Sequence, residues 1–79
     1  MRITDLEAGT AYTVRRSFTD DEGTLVLPGD RMTFERYTAV PVTGAFEVVF
    51  REETLVLHED RQSDVCEHAE WFLGEVGRG

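Results

Sequence analysis

The chain contains no lysine and no asparagine, one isoleucine (Ile3), one cysteine (Cys66) and one tryptophan (Trp71). A single cysteine forbids an intrachain disulfide, the staple that a small secreted domain ordinarily needs. No stretch approaches the roughly 18 apolar residues of a membrane span. Residues 1–7 hold no apolar run of signal-peptide length, so a cytoplasmic protein is expected. Lysine, asparagine and isoleucine have AT-rich codons, and their scarcity fits a GC-rich genome. Without lysine, eight arginines stand against sixteen acids, for a formal net charge of −8. That balance argues against direct binding to a phosphate backbone, which needs clustered basic residues. It also disfavours anionic lipid surfaces.

What is present is enough for one small domain. The 79 residues are 41% hydrophobic and 30% charged, within the globular range. Residues 1–76 are expected to form the domain, with 77–79 as a frayed tail. A chain of this size buries only about 60% of the surface its unfolded form exposes, so its stability is expected to be marginal.

Nine threonines, nine valines and five phenylalanines suit pleated, half-buried surfaces. Tyr12 and Val14 alternate with polar neighbours, predicting a strand over about 11–18. Residues 24–27 read as a short strand, stopped by Pro28-Gly29-Asp30, a type II turn signature. Met32 and Phe34 mark a strand over about 31–38. Phe46, Val48 and Phe50 mark another, and Leu55 and Leu57 a last one beyond a Glu52-Glu53 turn. After His58 the period changes: Val65, Ala69, Phe72, Leu73 and Val76 recur at helical spacing, with Cys66 at the edge of the stripe. One helix over about 61–74 is predicted, capped by Asp60 or Ser63 and ended by Gly74 or Gly77.

Consecutive short strands need a nearly closed sheet to hide their edges. The expected fold is mainly β: a small barrel of about five short antiparallel strands, with one C-terminal helix packed on it. Its core would hold Tyr12, Val14, Leu27, Met32, Phe34, Phe46, Val48, Phe50, Leu55, Leu57, Val65, Ala69 and Phe72.

The segment from Asp20 to Phe34 places an acidic pair, Leu25, a Gly29-Asp30 turn and an alternating strand in the order seen in the RT-loop and diverging turn of SH3-type barrels. The wider pattern runs Leu6-x-x-Gly9-x-x-Tyr12-x-Val14, Phe18-x-Asp20, Gly29-Asp30-x-x-x-Phe34 and a closing helix. It resembles a family of short bacterial SH3-like domains of unknown function. The resemblance implies a fold and no activity. It departs from peptide-binding SH3 domains, which grip proline-rich ligands with aromatic grooves. Residues 14–18 lack the paired tyrosines, residues 46–50 lack the tandem tryptophan, and Trp71 lies in the predicted helix.

Chemistry-bearing clusters are sparse. His58, Cys66 and His68 are potential soft metal ligands, with Glu59, Asp60, Glu67 and Glu70 nearby. On a helix, however, Cys66 and His68 point about 200° apart, so they neither chelate one ion nor form a thiol–base pair. No catalytic group, metal or cofactor is expected. Asp20-Asp21 and Glu52-Glu53 read as solvated turn acids. No phosphate-cradling glycine motif exists. Arg15-Arg16, the one basic doublet, would face opposite sides of a strand and form no patch.

Trp71 lies about 140° from the centre of the apolar stripe, among Asp64, Glu67 and Glu75. A large aromatic there is unnecessary for packing and reads as an anchor for a protein partner or a second copy. Val49 and Val56, outward on neighbouring strands, point to the same kind of surface. The leading expectation is therefore a non-catalytic, acidic interaction module binding a protein or itself, with no nucleic-acid or membrane partner. One alternative is a nucleic-acid mimic that occupies a basic DNA-binding or DNA-cutting protein; Asp64, Glu67, Glu70 and Glu75 would supply its charge, spread over about 16 Å of helix. A small enzyme is the third.

Overall fold

The computed structural model describes residues 1–39 and 44–76; the expected tail, 77–79, lies outside them. A 3-10 turn at Ile3–Asp5 precedes β1 (Ala11–Val14), β2 (Phe18–Thr19), β3 (Leu25–Val26), β4 (Arg31–Ala39), β5 (Ala45–Phe50) and β6 (Thr54–His58). The chain ends with α1 (Ser63–Glu67), a second 3-10 turn (Ala69–Trp71) and β7 (Leu73–Glu75). The main sheet is antiparallel, in the order β6-β5-β4-β1-β7, and β2 and β3 form a separate hairpin.

The period-2 runs map onto real strands. Met32, Phe34, Val48, Phe50, Leu55 and Leu57 all turn into one core. Gly29, at φ +94°, takes the left-handed position of the predicted turn, and the Asp30 amide donates to the Leu27 carbonyl at 3.1 Å. β4 pairs with β1 only over 31–33, so its outer half is bordered by β5 alone and residues 35–39 are all exposed.

Four expectations need correction. The first is the closed barrel. The five-stranded sheet does not close on itself, and the β2–β3 hairpin joins it through a loop instead. Asp20 Oδ2 accepts the Val56 amide of β6 at 2.9 Å, and the Asp21 amide donates to the Val56 carbonyl at 2.8 Å. The edge strand β6 is thus covered at its midpoint by a turn. Asp20, expected to be a solvated acid, is 5% exposed, and through Oδ1 it also holds the amides of Glu22 and Thr24.

The second concerns the helix over 61–74. Only Ser63–Glu67 is α-helical. Gln62 stands at the cap position without a side-chain cap bond, and His68 leaves helical geometry at φ −129°, ψ 56°. The chain then becomes β7, which includes Gly74, an expected helix stop. The outer edge of β1 is what it satisfies: the Arg15 amide donates to the Phe72 carbonyl and the Val76 amide to the Ala11 carbonyl. Pairing with a distant strand outweighs local helical patterning.

Third, β1 stops at Val14 rather than continuing to 18, with a bend at 15–16 before β2. Fourth, Leu27 is 51% exposed and Val26 takes its place in the core, because pairing of Phe18 with Val26 turns Leu25 and Leu27 outward. Phe46 is only partly buried, packed against the core's margin. Ile3, Leu6, Cys66 and Leu73 complete the core.

Candidate surface around Trp71

Trp71 ends the second 3-10 turn, 49% exposed between the buried residues Ala69 and Phe72. Its indole stacks on the His68 imidazole, with ring centroids 4.0 Å apart and planes 12° from parallel. His68 Nδ1 is 3.8 Å from Glu70 Oε2, and Glu70 Oε1 receives the Met1 amino group at 2.8 Å. The hydrogen bond from that amino group holds the Glu70 carboxyl below the usual glutamate range. The Met1 carbonyl also accepts the Ala69 amide at 2.9 Å. The first residue thereby clamps the turn that carries Trp71.

Trp71 also has basic neighbours. It lines a groove of about 460 Å³ with Arg15 and Arg16. The bend after Val14 brings both arginines to this side, whereas a continued strand would have separated them. Arg16 also lies over the Phe72 ring, 5.8 Å from its centroid, and Phe72 meets Phe18 edge-on. Arg15 Nη1 reaches the Glu70 carbonyl at 3.5 Å, and its guanidinium covers Gly74, whose missing side chain leaves the room. Among the described residues, neither guanidinium is ion-paired with a carboxylate.

The other expected surface residues go elsewhere. Asp64 and Glu67 are exposed on α1, while Glu75 is exposed on β7, so the acids do not share one helix. Glu75 lines a second groove of about 520 Å³, together with Asp5, Glu7, Tyr12 and Arg15. Val49 and Val56 are diagonal neighbours on one face of the β5–β6 hairpin and both are half-buried. Val56 borders a groove of about 450 Å³ with Asp21, Glu47, His58 and Arg61. The Arg61 guanidinium there donates to Asp21 at 3.0 Å and holds that carboxyl below its ordinary range.

Cys66 is 1% exposed, and burial pushes its thiol up to about 11. Among the described residues, no three His, Cys, Asp or Glu side chains converge as a metal-holding group. The i,i+3 spacing of His68 and Trp71 is the sequence signal of this stack, as it makes them neighbours on one helical turn. The Arg15-Arg16 doublet, expected to be split across a strand, instead lines one groove because β1 ends at Val14.

No family model matches the chain, and no curated protein does. A solved structure does: an integron cassette protein from the mobile metagenome of Vibrio cholerae. It superposes with a TM-score of 0.84 at 25% identity, over 90% of this chain and 88% of that one. The two share a small, mostly β fold.

Proposed function

We propose that this protein is a non-catalytic interaction module, an open variant of the SH3-like design, that acts in the bacterial cytoplasm by docking another protein on the surface around Trp71. The observation that carries this reading is the state of that side chain. Trp71 is half-exposed, yet held by a ring stack at 4.0 Å and flanked by two guanidiniums that, among the described residues, have no carboxylate ion-pair partner. An aromatic anchor loses little conformational freedom on binding when it is already fixed, and tryptophan and arginine are the residues that dominate interface energetics. The order of acidic loop, Pro28-Gly29 turn and long β4 supports the SH3-like assignment, and the buried, unbridged Cys66 suits a reducing compartment.

The test compares immobilised parent protein with Trp71→Ala in affinity capture from bacterial extract, alongside sedimentation velocity of each. A partner, or a self-associated species, that depends on Trp71 supports the reading. Identical captured sets together with identical sedimentation would overturn it.

A further inference from the structure

The groove beside Trp71 does not end at Arg15. The same guanidinium lines the second groove, so the two grooves adjoin at Arg15 and are treated together as one track. Their linings differ in charge. The Trp71 half carries Arg15 and Arg16; in the other half Asp5, Glu7 and Glu75 outnumber the shared Arg15 and Met1, whose amino group is paired with Glu70, beside the buried ring of Tyr12. Each half, at about 460 and 520 Å³, has the volume of an ordinary ligand site.

We infer that the track receives an extended, charge-segregated peptide segment: an acidic residue on Arg15 and Arg16, a flat or apolar side chain on Trp71, and a lysine or arginine on the acidic half. This inference rests on the docking role of Trp71 and adds the chemistry of the partner. A guanidinium pair beside an open aromatic face also suits single-stranded nucleic acid, where bases stack and phosphates meet arginine. The second half of the track opposes that occupant. A strand running on from Arg15 would lay its phosphates against Asp5, Glu7 and Glu75, on a chain that already carries −8. A peptide whose charge reverses within a few residues meets complementary groups in both halves. Mismatched occupants meet like charge in one half, which gives the track selectivity as well as attraction.

Selection of a displayed library of random dodecapeptides on the full chain tests this. Enriched sequences should carry Asp or Glu beside an aromatic or aliphatic residue, with Lys or Arg a few positions away. Synthetic copies should shift the emission of Trp71, the sole tryptophan. Arg15→Glu combined with Arg16→Glu should weaken them at least tenfold, and Glu7→Lys several-fold, with thermal unfolding of each variant confirming the fold. Failure to enrich any peptide would overturn the inference. So would enriched peptides without the charge pattern, peptides indifferent to the arginine reversals, or an octathymidylate that binds more tightly than any peptide. Peptides lost with Trp71→Ala but indifferent to the charge reversals would leave the docking role standing and remove the charge-segregated track alone. Peptides that follow the charge pattern but ignore Trp71→Ala would do the reverse.

Discussion

The His68 imidazole and the Trp71 indole lie nearly parallel at 4.0 Å, so one face of the only tryptophan is occupied while the residue as a whole stays 49% exposed. Trp71→Ala should therefore cost the isolated monomer only about 1 kcal/mol or less, because half of the side chain is already in water. It should weaken association by about 2 kcal/mol or more, as loss of a central aromatic anchor does. Paired denaturant unfolding and titration read both quantities. A stability loss near 3 kcal/mol with unchanged binding would make Trp71 a packing residue.

Asp20 makes the opposite prediction, a large stability effect at a residue in a surface turn. Its carboxylate accepts the Glu22, Thr24 and Val56 amides at 3.0, 2.7 and 2.9 Å. Asp20→Ala leaves three donors to find water, and one of them is in the middle of the edge strand β6. A loss of about 2–4 kcal/mol is expected, since each orphaned buried donor costs about 1–3. Asp20→Asn keeps an acceptor for the turn but presents its amide to the Val56 N–H, so it should fall between. Hydrogen exchange at Val56 should accelerate in both variants, and an unchanged rate there would mean that the loop does not hold the edge.

Cys66 gives a prediction at alkaline pH. Burial first, then the Glu59 charge, raises its thiol from 9.0 to about 11. The folded chain therefore holds this proton more tightly than the unfolded chain. The resulting stabilisation is complete below pH 9 and is lost as pH rises from 9 towards 11. The alkaline fall in stability should be shallower in Cys66→Ala. At neutral pH a thiol reagent should label the parent only at the rate of unfolding; prompt stoichiometric labelling would contradict the burial.

The strands were legible in the sequence because one-sided burial imprints an alternation that no other structure requires, as Met32/Phe34, Val48/Phe50 and Leu55/Leu57 show. The C-terminal segment shows where that legibility ends. Of the expected helical stripe, Val65, Ala69, Phe72 and Leu73 are buried while Val76 is exposed, and Leu73 belongs to a strand. Short apolar runs satisfy either period, and the deciding factor was the open edge of β1, some sixty residues earlier in the chain. The same non-local cause hid the candidate site. Arg15 and Arg16 point away from each other on any continuous strand, and only the bend that follows β1 gathers them beside Trp71. Leu27 and Val26 exchanged roles for a smaller reason: in a two-residue strand, one step of register decides which side chain faces in.

Gly74 offers a test of whether Arg15 must stay where it is. Its backbone lies in β7, directly beneath the Arg15 guanidinium, and a Cβ at this position would overlap Arg15 Nε, Nη2 and Cζ. The obstructing group is the far end of a flexible side chain that is exposed. Gly74→Ala should thus be tolerated by the fold, with stability changed by less than about 1 kcal/mol, since Ala is no worse than Gly in a strand interior and the displaced guanidinium moves into water. Arg15 should lose its contact with the Glu70 carbonyl and leave the junction of the two grooves. Binding that needs a cation at that junction should weaken several-fold, while Arg15→Ala should produce a similar loss and add little in the double variant. Such non-additivity is the signature of two residues acting through one group. If Gly74→Ala instead unfolds the domain, the glycine is needed for β7 itself. If it leaves both stability and binding at parent values, Arg15 recognises its partner from more than one position and its seat on Gly74 is incidental.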